Sequence, residues 1–250
     1  MQIAGIYRYP VKGLSAEALT RVAVVPGEGL PLDRRFAIAH GATAFDASAP
    51  AWMPKHNFLM LAKNERLAKL ETSFDAATNV LTVKRGGKKV ASGDLTTPTG
   101  RALIEQFFGA YLEGETRGSP KVVEAPGHMF SDTARKVVSI IGLSSVADIE
   151  RVARAPVDKI RFRANIYFAG GKPWEEFDWL DREIAIGDVR LKVYKRIDRC
   201  AATTVNPATA ERDLQIPRLL QQGFGHIDCG VYAEILNAGE IAQGDALRPL

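Results

Sequence analysis

Cysteine is scarce in this chain: 250 residues carry only Cys200 and Cys229. Two thiols cannot build a four-thiolate zinc site or hold an ordinary iron–sulfur cluster. Nor is this a disulfide-stapled miniprotein, since a chain of this length buries its own core. Histidine is nearly as rare, at His40, His56, His128 and His226, and there is no HExxH. The phosphate loop GxxxxGKS/T and the dinucleotide fingerprint GxGxxG are both missing. ATP hydrolysis and nicotinamide or flavin binding are therefore unsupported, and any redox chemistry requires a cofactor held by other means. No window approaches the roughly 20 apolar residues of a spanning helix. The opening MQIAGIYRYPVKG has neither a basic start nor an apolar block. The expectation is a cytoplasmic protein, off the membrane, with both thiols reduced. A strong charge excess is lacking too: 33 Lys and Arg against 29 Asp and Glu give +4. That is modest, and the basic clusters are not interleaved with aromatics, so no nucleic-acid partner is expected.

What is present is an ordinary globular composition, 46% hydrophobic and 25% charged. Gln2–Tyr9 alternates around Ile3 and Ile6, and Arg21–Val25, Phe36–Ala39, Phe58–Ala62, Lys69–Phe74 and Val80–Lys84 read as further strands. DAATN and RGGKK supply turns, and Ala42–His56 reads as an irregular loop. Ile104, Phe107, Phe108 and Tyr111 form the apolar stripe of a helix. Gly114–Pro120 breaks the pattern and places a boundary between residues 1–115 and 116–250. A second helix is predicted from Ser145, with Asp148 completing a capping box and Pro156 ending it. Ile166–Phe168, Arg182–Ile186, Val189–Val193, Val231–Leu236 and Ala246–Leu250 return to strand, with Gly187-Asp188 as a hairpin turn and a short helix within Glu211–Gln222. Many short strands and few helices predict a mainly β chain with some α (α+β), mostly antiparallel and barrel-like rather than βαβ.

Three features carry potential chemistry. Basic residues cluster at Arg34-Arg35, at Lys159, Arg161 and Arg163, and at Lys192, Lys195, Arg196 and Arg199. Each cluster is either a solvated strand face or an anion site, where the planar Arg fork suits phosphate. Cys200 in RIDRCAATTVNP follows two Arg within four residues. Positive charge favours thiolate, which is both nucleophile and metal ligand; a buried inert Cys is the alternative, and Cys229 fits it. FSDT offers Asp132 and Thr133 at a strand entry, as turn formers or as polar contacts. In FRANIYF, Arg163 and Asn165 stand two apart and are expected to share one strand face. The Asn amide both donates and accepts, which suits a heteroaromatic ring edge.

Together, IYRYPVKGLSAE, DRRFAI, FSDT, RFRANIYF, PWEEFDW, IGDVRLKV, RC with TTVNPATAERD, and DCGVYAEI with GEIAQGD resemble the MOSC family, named for the molybdenum cofactor sulfurase C-terminal domain. The resemblance runs over nearly the whole chain. It implies a MOSC N-terminal β-rich domain over 1–115 and a MOSC β-barrel domain over 116–250. The branch resembled contains the mitochondrial amidoxime-reducing component and bacterial relatives, which implies a molybdopterin cofactor between the domains. In that branch a cysteine thiolate ligates molybdenum, a position matched by Cys200. Lys12 matches a contact to the cofactor's phosphate end and Arg35 a second basic contact. Asp132, Thr133, Arg163 and Asn165 match further cofactor contacts, and Arg199 adjoins Cys200 in the RC pair. Gly13 and Ala134 stand where relatives often have Ser, so two hydroxyl donors are missing, and FRPN has become FRAN through Ala164.

The resemblance implies a molybdenum-cofactor oxidoreductase that reduces N-hydroxylated or N-oxide small molecules. Some bacterial relatives add a ferredoxin-like domain, for which this chain lacks the cysteines. Electrons would come from a separate ferredoxin- or flavin-type reductase. Cys200 would hold the metal, and Asp132 would assist protonation of the departing oxygen. The alternative is a sulfur carrier or cofactor-trafficking protein with a persulfide on Cys200. A third reading is an anion-binding β module without turnover.

Overall fold

Short β-branched runs with one buried face build most of this molecule. The computed structural model describes residues 1–250. Strands β1 (Gln2–Arg8), β2 (Glu17–Leu19) and β3 (Arg21–Val24) open the chain, followed by the fully buried β4 (Phe36–Ala39). β5 (Leu70–Asp75), β6 (Val80–Arg85) and β7 (Lys88–Asp94) form an antiparallel meander. Helix α1 (Pro98–Tyr111) leads to β8 (Lys121–Glu124) and β9 (Val138–Gly142). Then come α2 (Leu143–Ala153), β10 (Ile166–Ala169), β11 (Glu183–Ile186) and β12 (Val189–Asp198). Helix α3 (Ile216–Phe224), β13 (Asp228–Ile235), β14 (Gly239–Ala242) and β15 (Leu247–Pro249) complete it. The chain is mainly β with three α-helices, as the sequence predicts.

Eight strands form one sheet in the order β15-β11-β12-β13-β9-β10-β1-β2. It packs around a core that includes Ile6, Val24, Ile140, Phe168, Leu191 and Val231. All its pairings are antiparallel except β9 with β10, where α2 makes the crossover of a single βαβ unit. Gly187, at φ +55°, and Asp188 make the predicted two-residue turn between β11 and β12. β12 runs on to Asp198 with two register shifts against β13, and this long strand delivers Arg199 and Cys200 to the end of the sheet.

A second core gathers β4, the meander, β8 and α1. Thr97 caps α1 by accepting the Gly100 N–H at 3.1 Å, and Pro98 follows it. Ile104, Phe108 and Tyr111 are buried as the stripe predicts, while Phe107 stacks on Tyr111 at the edge. The helix lies so close to β7 that a Cβ on Gly100 would come within 2.1 Å of the Asp94 carbonyl oxygen. β7 has no counterpart among the predicted strands, because KKVASGD is polar and lacks an apolar face.

Elsewhere the structure departs from the sequence expectation. Phe58–Ala62 makes only one bridge, Ala39 to Phe58, and is not a strand. α2 begins at Leu143, so Ser145 is inside it; its hydroxyl donates to the buried Glu176 carboxylate at 2.9 Å, and Asp148 accepts from the Trp174 indole. Arg163 is not on a strand but ends a short 3-10 turn at φ +53°. The strands also interleave across the 115/116 boundary. Ile6 pairs with Ile166 and Val24 with Gly239, while β8 pairs back onto β4. β1 and β3 therefore belong with the C-terminal strands, while Val11 and Leu14 between them pack in the second core, and that body extends through Glu124.

Candidate functional site

Between the two bodies lies a cleft of about 420 Å³. β1 leads into Val11, which bridges Phe36 in parallel, and the next residue, Lys12, turns into the cleft. Gly13 takes φ +83°, and a Cβ there would sit 2.9 Å from the Leu59 carbonyl oxygen. That backbone favours glycine over any residue with a side chain. Lys12 is 7% exposed and donates to the Phe130 carbonyl at 3.0 Å and to Asp132 at 2.5 Å. Burial pushes its pKa below the ordinary value, and Asp132 only partly opposes this.

Burial acts to raise the Asp132 pKa, but Lys12 and then Lys55 outweigh it and hold the carboxyl below its usual range. At neutral pH Asp132 is thus an ionised partner of Lys12, with Lys55 at 3.9 Å. Its ion pairs are with these two lysines. Thr133, next along, shares a hydrogen bond with the Tyr194 hydroxyl at 3.0 Å.

The Arg pair divides its work. Arg35 faces away: it pairs with Glu124 at 2.7 Å, bonds Asn79 and is not in the cleft wall. Arg34 lines the cleft instead. Leu32 and Arg34 both take left-handed φ, so strand alternation does not govern which Arg points inward. Arg34 pairs with Asp33 and donates to the Arg163 carbonyl at 3.0 Å. Tyr9 holds both guanidiniums over its ring, Arg34 at 4.9 Å and Arg163 at 4.2 Å. Arg163 donates one N–H to the Leu14 carbonyl at 2.8 Å, but its Nη2 is buried without a partner. Burial pulls the Arg163 guanidinium down to about 10.

Asn165 and Arg199 border the same cleft with their side chains committed to protein. Asn165 Oδ1 accepts from the Ser139 N–H and hydroxyl, and its Nδ2 donates to the Tyr7 carbonyl. Arg199 donates to the carbonyls of Cys229 and Phe162. Both fix the backbone around the site. Cys200 precedes a 3-10 turn, Ala201–Thr204, and its carbonyl accepts from the Thr203 N–H and hydroxyl. Arg161 secures that turn from one side through the Thr204 carbonyl at 3.2 Å and Asp213 at 2.7 Å. Arg212 secures it from the other, bonding the Ala201 carbonyl and Thr204 hydroxyl while reaching the Ala62 carbonyl and Glu65. Burial works against the Lys55 charge, but the neighbouring Cys200 and Asp132 raise its pKa above the ordinary value.

Of the residues expected from sequence, Lys12, Asp132, Thr133, Arg163, Asn165, Arg199 and Cys200 converge on this cleft and Arg35 does not. Lys55 and Tyr9 leave no signal in the sequence, and of the Arg34-Arg35 cluster it is Arg34 that lines the cleft. The wall carries Lys12, Arg34, Lys55, Arg161, Arg163, Lys195 and Arg199 against Asp132 and Asp198. No group of three or more His, Cys, Asp or Glu side chains could hold a metal ion by itself. The cationic excess and the orphaned Arg163 Nη2 fit a polyanionic cofactor that brings its own metal ligands, with Cys200 as a soft anchor.

Fold and cleft define a two-body β protein with a cation-lined cleft beside a cysteine. The MOSC N-terminal beta barrel domain pattern matches residues 1–131, and the MOSC domain pattern matches residues 126–248. The chain belongs to the MOSC family. It is similar to mitochondrial amidoxime-reducing component 1 of Homo sapiens, 30% identical over 128 residues, covering 46% of this chain and 37% of that protein. It is also similar to molybdenum cofactor sulfurase of Homo sapiens, 22% identical over 279 residues, covering 92% of this chain and 29% of that protein. The chain spans about a third of the length of these curated relatives. Among solved structures, the YUAD protein of Bacillus subtilis matches with a TM-score of 0.47 and 12% identity, covering 98% of this chain and 93% of that one. No helix is long and apolar enough to cross a membrane.

Proposed function

We propose that this protein is a molybdenum-cofactor-dependent oxidoreductase that reduces N-hydroxylated or N-oxide compounds. The observation that carries the reading is one cleft combining a buried, partner-seeking guanidinium, a surplus of cations and Cys200 with Lys55 beside it. When bound, molybdopterin supplies a sulfur-ligated molybdenum able to exchange two electrons and remove oxygen from an N–O bond. Lys12, Arg34 and Arg163 would hold the phosphate end. Arg163 Nη2 would find there the acceptor it lacks in the protein. Cys200 would anchor the metal, oriented by the turn that Arg161 and Arg212 secure. Asp132, as an ionised partner, keeps Lys12 charged and in place. A separate reductase supplies electrons, and the substrate is a small molecule.

Protein from a molybdopterin-producing host should contain molybdenum in proportion to chain and yield the fluorescent pterin product. It should also reduce an amidoxime with a reduced viologen. Metal-loaded protein that turns over no N-hydroxylated substrate would reject the oxidoreductase reading. The match to the sulfurase, which spans 92% of this chain, favours a second reading as a persulfide carrier through Cys200. A carrier releases sulfide on thiol treatment and shows no N–O reduction.

A further inference from the structure

The cleft changes character from floor to rim. Lys12, Arg161 and Arg199 are buried, whereas Trp52, Pro54 and His56, which line the same cleft, are exposed. Half-buried Met60 and Met129 line it as well. Trp52 is 44% exposed, and of the seven large hydrophobic side chains exposed on the molecule it alone lines the cleft. Single hydrophobic residues scattered over a surface are ordinary; an exposed indole in the wall of a cleft is a ready contact for a ligand. The nearby rings offer it no partner. Phe45, Phe58 and Phe130 pack among themselves, with centroids 5.3 Å apart.

The ring is exposed but its segment is pinned. Met53, the next residue, packs against the buried group of Ala37, Ala39, Phe58 and Phe130. The Pro54 carbonyl accepts from the Asn57 N–H and from its side-chain amide, each at 3.1 Å. The His40 N–H donates to the Asn57 carbonyl at 2.9 Å, and Arg117 donates to the His56 carbonyl at 2.6 Å. These bonds fix the place of Trp52 in the cleft wall before any ligand arrives, so little ordering cost falls on binding. Lys55, three residues further on, neighbours Cys200. One short anchored segment thus joins the exposed ring to the Cys200 part of the cleft.

We infer that Trp52 is a specificity-determining residue whose indole stacks on a flat, uncharged aromatic ring carried by the N-hydroxylated substrate, an inference that rests on the reductase reading. Stacked rings attract beyond the apolar area they bury, and the thioethers of Met60 and Met129 suit further contacts with a ring. An aliphatic body of similar size gains the burial without the stacking. A cationic ring would also be drawn to the indole, but the surplus of Lys and Arg in the same wall repels it.

Loaded full chain would be assayed with reduced viologen on benzamidoxime and acetamidoxime, which share the N–O group and differ by phenyl against methyl. Calorimetry of benzamidoxime without reductant reads binding alone. The parent should show a KM at least about tenfold lower for benzamidoxime. Trp52→Leu keeps apolar bulk without a ring. It should cut the preference for benzamidoxime by about five- to tenfold, through KM rather than kcat, and weaken the calorimetric affinity to match, with the pterin content of the parent. Trp52→Phe should keep most of both. Equal KM for the two substrates in the parent overturns the inference, as does an unchanged preference in Trp52→Leu. Loss of pterin from Trp52→Leu overturns it too, by placing the ring on the cofactor. A parent that binds benzamidoxime through Trp52 yet turns over neither amidoxime keeps the ring contact and rejects the reductase reading instead.

Discussion

Replacing Arg212 by Met separates anchoring of the Cys200 turn from stability of the fold. Arg212 bonds the Ala201 carbonyl at 3.1 Å, the Thr204 hydroxyl at 2.9 Å, the Ala62 carbonyl at 3.1 Å and Glu65 at 2.9 Å. Met keeps the aliphatic stem and removes the fork. The Arg212 and Glu65 side chains are 31% and 42% exposed, so water can replace what is lost and no charge is left buried. An ion pair of this exposure contributes about 0–1 kcal/mol, and exposed hydrogen bonds add little more, so about 1–2 kcal/mol is expected. For a chain of this size that lowers the melting temperature by roughly 2–8 °C. Arg161 on the other side of the same turn is the contrast. Its side chain is 2% exposed, and Arg161→Met strands the Thr203 and Thr204 carbonyls, a loss of about 2–4 kcal/mol, while the freed Asp213, a third exposed, adds little. The mild Arg212 variant should nevertheless free the turn. Alkylation of Cys200 by iodoacetamide should quicken several-fold, with buried Cys229 as the unreactive internal reference. In loaded protein, turnover should fall by about a hundredfold, the scale of a 1 Å misplacement. A melting temperature lowered more than in Arg161→Met, or unchanged Cys200 alkylation, would refute the reasoning.

Cys200→Ser should lose most bound molybdenum while Cys229→Ser keeps it; full retention in both, by elemental analysis, rejects the anchor. Arg34→Glu should strip pterin on desalting, whereas Arg35→Glu should lower the melting temperature, by repelling Glu124, yet keep the pterin. The opposite ranking would reinstate Arg35 as the contact. Because the folded Asp132 pKa lies below its unfolded value, its stabilisation is present at neutral pH. It fades as pH falls below about 4, through the ordinary carboxylate range and beyond. Asp132→Asn should thus melt lower than the parent at pH 7, with the two curves converging in acid; a constant offset across that window would contradict the assignment. Loaded protein should turn over with reduced viologen but not with NADH alone, and NADH turnover would remove the need for a separate donor.

Motif order made most of the site legible, and local backbone hid the rest. Lys12, Asp132, Arg163 and Cys200 are distant in sequence, and no periodicity says they meet; only their motifs, taken together, did. The resemblance points to Arg35, yet Arg34 lines the cleft, because left-handed residues at 32 and 34 set which side chain of the pair turns inward. Arg163 was expected on a strand because FRANIYF looks extended, yet its first residues close a 3-10 turn. Lys55 lies in a stretch without regular pattern, and its importance arises only when the loop folds back onto Cys200. Hairpins such as Gly187-Asp188 were readable because their turn chemistry is local, whereas the polar β7 becomes a strand only by pairing with β6.

The interleaved strands carry a consequence for how the chain is made. β1 leaves the ribosome long before its neighbour β10, and β3 long before β14. β1 can pair early only with β2, so its other edge and β3 stay unpaired through most of synthesis, with Ile3, Ile6 and Val22 exposed to wrong partners. The meander and α1 make mostly local contacts and can settle early, a folded island between unsatisfied segments. A fragment beginning at residue 116 would present the bare edge of β10 where β1 belongs, an invitation to strand-by-strand aggregation. Supplying residues 1–24 as a separate peptide should restore solubility to such a fragment once Lys121–Glu124 is also removed.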